Sequence, residues 1–293
     1  MLPDESSVTP SYFGSGAQGH PNKGYVLHPP YTQASFIPEN FPGSVQTQVT
    51  GLNDRDVTVG FYSHQNNANL VNENVGFYRI NGSFHAVKFP TTNNSTPPVN
   101  QLLGVNDRDI AVGFYTDSAG SSHGYTFDIS TGQFHAIVLP GKPTSNTAAA
   151  INNHGDIAGF ETVDAVTQAF LLQANGHFTA LKFPGATATQ AFGVNDRDEV
   201  VGAYTVGTAS HGFTWTPEQG FNTVDDPDGI GTTTLNGVND HGQLVGFYTD
   251  KFTNVDGLLA TPVASWWPSV ATRASGLRGA GLVPVIRCWA TSG

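Results

Sequence analysis

One twelve-residue phrase occurs five times along the chain and restricts what it can fold into. It reads GLNDRDVTVGFY from Gly51, GVNDRDIAVGFY from Gly104, AINNHGDIAGFE from Ala150, GVNDRDEVVGAY from Gly193 and GVNDHGQLVGFY from Gly237. The leading asparagines, Asn53, Asn106, Asn152, Asn195 and Asn239, stand 53, 46, 43 and 44 residues apart. A period in that range marks one supersecondary unit per repeat, stacked on its neighbours or set in a ring.

Each unit reads as four short strands. Strand A runs into the Asn, as in Thr189–Val194, and strand B is the Val-Gly-Phe-Tyr segment. Strand C begins Gly-Phe or Gly-Tyr, as in Gly124–Phe127, and strand D is the Phe-x-Ala segment, as in Phe178–Phe183. Asn-Gly pairs at Asn81-Gly82 and Asn175-Gly176 sit between C and D, where both residue types tolerate positive φ and close a hairpin. The Asn-Asp link makes the A–B turn, since Asx side chains bond the backbone two residues on. Four antiparallel strands per unit predict an all-β, five-bladed β-propeller over residues 23–262. The strands near Gly24 and Phe36 supply C and D for the last A–B pair, so the two ends share one blade and remove the open sheet edges. Gly257–Pro262 competes for the same C position.

Residues 1–22 read as an irregular lead-in rich in Ser, Gly and Pro. Residues 263–293 match no repeat and hold three of the 12 Lys and Arg and the only Cys, a composition that fits out-of-frame or vector-derived sequence. Only 12% of residues are charged and the net charge is −11, which disfavours nucleic acid and anionic membranes as partners. No run of 18 apolar residues is present, so no segment is expected to span a membrane as a helix. The start of the chain lacks the charged and apolar regions of a signal peptide. The chain is expected to be a monomer.

The Gly-(Ile/Val)-Asn-x-x-Gly-x-x-Val-Gly-x-Tyr core is followed by His-Gly-aromatic at His123-Gly124-Tyr125 and His211-Gly212-Phe213, and by Phe-Thr-x-Leu-x-x-Pro-Gly at Phe178–Gly185. Over residues 22–262 this resembles the HAF family of bacterial extracellular repeat proteins. The resemblance implies a secreted or extracellular origin and no particular reaction. Three repeats depart from it, with Asp56, Asp109 and Asp198 where the family has a glycine at the bend. Asp tolerates the left-handed region better than most residues.

Functional positions are sought where the repeats disagree. Strand B ends in Tyr62, Tyr115, Tyr204 and Tyr248, but the third repeat has Glu161, a candidate general base. The residue before strand C is His in two repeats, and His123, His211 and Asp117 form a candidate ligand set for a divalent metal ion, Zn or Ca. The bland alternatives are a solvated Glu and a turn-forming His-Gly pair. The inner strand carries Gln48, Gln101, Thr147, Gln190 and Thr234, a polar ring suited to a small-molecule or glycan ligand, or to water. Asp225-Asp226-Pro227-Asp228 is an acidic cluster in the fourth D–A loop. Two functions follow. One is a metal-assisted hydrolase of activated esters or phosphoesters, with Glu161 as catalytic base. The other is an extracellular glycan- or small-ligand-binding module without catalysis.

Overall fold

A computed structural model describes residues 9–13 (backbone only), 21–27, 35–66 and 72–262, and all their regular elements are strands. The first sheet holds β1 (Thr9–Phe13), β2 (Lys23–Leu27) and β3 (Phe36–Pro38). The second holds β4 (Gln46–Leu52), β5 (Thr58–Ser63), β6 (Val75–Ile80) and β7 (Ser83–Val87). The third holds β8 (Asn100–Val105), β9 (Ile110–Thr116), β10 (Ser122–Asp128) and β11 (Gln133–Ala136). Next come β12 (Ser145–Ile151), β13 (Ile157–Val163), β14 (Val166–Leu172) and β15 (Phe178–Leu181), then β16 (Ala188–Val194), β17 (Val200–Val206), β18 (Ala209–Thr216) and β19 (Gly220–Val224). These two sets are antiparallel within themselves and joined by a single parallel pair, Thr167 with Ala188. The last sheet is β20 (Thr234–Val238), β21 (Leu244–Thr249) and β22 (Val255–Ala260).

Two expectations about the ends change. Within the stretch read as irregular, Thr9–Phe13 forms β1 and pairs along its whole length with β2. Thr, Tyr and Phe favour a pleated strand, and Pro10 is tolerated because β1 lies at a sheet edge. The contest for the strand C position is decided locally. β22 pairs with β21 in full register, whereas β2 pairs with β1 and β3. A short connection to β22 costs less ordering than a contact from the opposite end of the chain. Among the described residues, no strand pairing joins the first sheet to the last. The tail 263–293 lies outside the described residues.

Sheets pack face to face through apolar side chains. One core joins Val59 of β5, Leu102 and Val105 of β8, and Tyr125 and Phe127 of β10. Another joins Leu171, Leu181, Ala191, Val194 and Phe213 across the β14–β18 region. The inner strands β4, β8, β12, β16 and β20 touch in sequence order. Two positions make this approach possible: the first of the phrase, glycine in every repeat but the third, where Ala150 stands, and the glycine of strand B, present in all five. A Cβ on Gly193 would lie 2.9 Å from the Gly237 Cα of the next inner strand. One on Gly113 would overlap the Gln101 carbonyl oxygen across the A–B pair.

Each inner strand also carries a β-bulge. The register slips between Val49 and Gly51, Leu102 and Gly104, Ala148 and Ala150, Ala191 and Gly193, and Leu235 and Gly237. The extra residue is Thr50, Leu103, Ala149, Phe192 or Asn236, a position at which all five repeats differ. A bulged residue has no partner across the ladder, so its side chain is released from the repeat's packing rule.

Candidate functional site

The A–B and C–D turns form one rim of the array, and the D–A and B–C loops form the other. At the turn rim, the repeated Asn does more than close its own turn. Asn195 Oδ1 accepts hydrogen bonds from the backbone N–H of Arg197 and Glu199, both at 3.0 Å. Its Nδ2 donates to the Asn239 carbonyl in the next unit, also at 3.0 Å. Asn53 donates likewise to the Asn106 carbonyl, Asn106 to Asn152, and Asn152 to Asn195, at 2.9–3.1 Å. A second rail runs beside it. The N–H of Asp54 donates to Asp107 Oδ1, that of Asp107 to Asn153 Oδ1, that of Asn153 to Asp196 Oδ1, and that of Asp196 to Asp240 Oδ1. Asp56, Asp109 and Asp198 adopt φ of 58°, 59° and 58°, in the left-handed place that Gly155 and Gly242 fill in the other two repeats. Burial and the neighbouring Asp156 push the Asp198 carboxyl above the usual range.

The loop rim is built from rings. Tyr62 stacks on Phe41 at 3.7 Å between centroids, Tyr115 on Phe89 at 4.7 Å and Tyr204 on Phe183 at 3.6 Å. In each case the Phe precedes the Pro that leads into strand A of the same sheet as the Tyr. His123 and His211 extend two of these stacks, 5.1 and 5.2 Å from Tyr115 and Tyr204. Each imidazole holds a carboxylate of its own. His123 Nε2 meets Asp117 Oδ2 at 2.8 Å, and His211 Nδ1 meets Asp225 Oδ2 at 2.7 Å. The His123 contact, with further help from the Ser121 and Ala119 N–H groups, holds the Asp117 carboxyl below the usual range.

The third repeat changes all three members of the stack together. Glu161 replaces the Tyr, Leu139 the Phe and Gln168 the His. Glu161 is 2% exposed, and its Oε1 accepts a hydrogen bond from Gln168 Nε2 at 2.8 Å. Its Oε2 is buried with no hydrogen-bond partner among the described residues. The proposed metal set is thus not assembled by these contacts. His123 and Asp117 come together, but His211 lies on β18, beyond the β12–β15 set, and takes Asp225 instead. Among the described residues, no group of three or more His, Cys, Asp or Glu side chains is arranged for a metal ion. Glu161, closed off from solvent, is placed as a buried substitute for a packed ring.

The inner strands present a different surface. Gln48, Gln101, Gln190 and Thr234 are half-buried, while Thr147 is buried at 5% exposure. Their cross-strand partners are Phe61, Phe114, Ala203, Phe247 and Phe160 respectively. Phe61, Phe114 and Phe160 are half-buried and Phe247 is exposed. Four of the five units therefore set an amide or hydroxyl beside an incompletely buried aromatic ring on the same sheet face. This pairing involves strand B residues that the sequence reading left out. Its signal was the Phe before the terminal Tyr of Gly-Phe-Tyr.

No family model matches the chain, and none of the curated proteins does. Solved structures do. TolB from Acinetobacter baumannii is similar with a TM-score of 0.57 at 13% identity, over 86% of this chain and 60% of that one. The chain thus spans 60% of the length of the TolB chain it matches. The SapL1 lectin, in a complex with alpha methyl fucoside, is similar with a TM-score of 0.53 at 7% identity, over 87% and 93% of the two chains. A triple arginine-to-alanine mutant of AofleA from Arthrobotrys oligospora is similar with a TM-score of 0.51 at 13% identity, over 86% and 82%. At these identities the likeness shows the fold, an all-β, propeller-like array of antiparallel sheets.

Proposed function

We propose that this chain is an extracellular, monomeric propeller module that binds small neutral polar ligands, sugars foremost, on the inner face of its sheets. In this reading the units curl about an axis with the inner strands around it. The observation that carries the proposal is the recurrent pairing of Gln48 with Phe61, Gln101 with Phe114, Thr147 with Phe160 and Thr234 with Phe247. A sugar ring offers C–H groups to an aromatic face and hydroxyls to amides, so this pairing supplies both halves of its recognition. Gln190 joins as a polar group opposite Ala203. The likeness of the fold to a fucoside-bound lectin supports the ligand class, and the resemblance to HAF repeats supports the location.

The test is a neutral-glycan array probed with the full chain, followed by saturation-transfer NMR with the methyl glycosides of any hits. Binding that weakens in Gln101→Ala is the expected result. An empty array, together with no saturation transfer from any glycoside, would sink the reading. So would turnover of an ester or phosphoester panel that a chelator abolishes, because that outcome selects the metal-assisted hydrolase.

A further inference from the structure

The seam between the first two sheets differs from the others. Asn22, just before β2, lines a cleft of about 240 Å³ together with Gln46 and Gln48 of β4, Phe61 and Ser63 of β5, and Asn74 before β6. At the equivalent inner-strand position the following units have Val99, Ser145, Ala188 and Thr232 in place of Gln46. Backbone contacts hold the cleft's walls. The Asn22 carbonyl accepts from the Thr47 N–H at 3.0 Å, and Gln46 Nε2 donates to the Gln65 carbonyl at 2.8 Å. Asn22 is only 8% exposed, yet its Oδ1 meets no donor among the described residues. A buried amide oxygen is normally hydrogen-bonded, and an exception calls for a missing partner.

The lining also selects by charge and size. Its lining side chains are all uncharged, and the nearby Glu73 carboxylate, which acts on Tyr62, disfavours an anion. The volume falls below the roughly 300 Å³ at which pockets for drug-sized ligands begin, and suits a single ring. We propose that this cleft is a discrete binding site for one neutral monosaccharide unit. Its ring lies against Phe61, and one hydroxyl donates to Asn22 Oδ1 after a rotation of that terminal amide, a torsion with a broad minimum. Gln48 and Ser63 take further hydroxyls. The proposal rests on the glycan-binding reading and gives it one built-out address among the five inner-strand pairs.

The experiment titrates the full chain with methyl α-L-fucoside, methyl β-D-galactoside and methyl α-D-mannoside by calorimetry, in wild type, Asn22→Ala and Phe61→Ala. Urea midpoints are taken for each variant. Phe61 is half-buried, so its variant keeps the test open if Asn22→Ala fails to fold. At least one glycoside is expected to bind, and each folded variant to weaken it about tenfold, as losing one hydrogen bond or stacking contact does. Added salt leaves the affinity unchanged, as befits an uncharged site. If a glycoside binds and Gln101→Ala weakens it while Asn22→Ala and Phe61→Ala do not, the address is wrong and the glycan-binding reading stands. If none of the three glycosides binds wild type, the cleft proposal falls, and the glycan array decides the wider reading.

Discussion

The two rims of the array obey different rules. At the turn rim, four successive seams repeat the same Asn-to-carbonyl bond and the same N–H-to-carboxamide or N–H-to-carboxylate bond. At the loop rim, three units keep a Tyr–Phe stack, a fourth substitutes Glu161 and Leu139, and the last has Tyr248 against Gly229. The contrast is physical. A buried backbone carbonyl accepts only a donor in the right place, so the turn rim admits one side chain. A packed ring can be exchanged for other volume if its neighbours change with it, so the loop rim drifts.

The largest expected effect is at the turn rim. Asn195 is 0% exposed, and Asn195→Ala leaves the Arg197 and Glu199 N–H groups and the Asn239 carbonyl without its side chain. A loss of about 3 kcal/mol is expected from urea unfolding, since the Arg197 and Glu199 N–H groups lose their acceptor together, while the Asn239 carbonyl keeps the Gly242 N–H. A loss below about 1 kcal/mol would mean that water replaces the lacing and that the contrast between rims is false.

An intermediate effect probes the exchange at the loop rim. Tyr204→Glu alone forfeits the stack on Phe183 and buries a carboxylate, at a cost of about 3 kcal/mol. Adding His211→Gln supplies the partner that Gln168 gives Glu161 while giving up the Asp225 contact, and measured against His211→Gln alone a coupling of about 1 kcal/mol is expected. A double-mutant cycle with no coupling would show that the third repeat's three changes are independent.

The smallest effect is a pH dependence. Asp117 is held below the usual carboxylate range by His123, so it binds fewer protons folded than unfolded as the pH falls through that interval. Its stabilisation is full above the unfolded Asp value and fades as the pH drops through the depressed folded value. Asp117→Asn lacks that dependence, and its urea midpoint should converge on wild type in acid. A gap between the two that widens toward low pH would contradict the assignment.

Much of the strand pattern was legible because it is local. Asn81 and Gly82, read as a hairpin turn, both adopt positive φ, at 50° and 77°. Asp56, Asp109 and Asp198 were flagged as αL positions from the motif's departure from glycine. The lateral bonds were not legible. The motif shows that Asn closes its own turn, but its second partner lies 43–53 residues away and leaves no local trace. Nor did the pattern separate the two ends, since β2 and β22 each set apolar residues after a Gly and three-dimensional register distinguishes them. His123 and His211 looked alike in sequence, and each meets a carboxylate in the structure, but through different nitrogens and different loops: Nε2 to Asp117 and Nδ1 to Asp225. The cleft at Asn22 was invisible because its walls come from loops and strands that no repeat alignment compares.

The lacing has a direction. Each Asn from Asn53 to Asn195 gives its amide to its successor, and Asn239, at the end of the described series, shows the in-turn bond to Gln243 Oε1 at 2.7 Å that Asn152 also makes to Asp156 and Asn195 to Glu199. Because donor and acceptor are the same at each joint, a whole unit copied into the chain brings its own fastening and finds one waiting. Growth or loss by single modules therefore leaves this rail of hydrogen bonds intact.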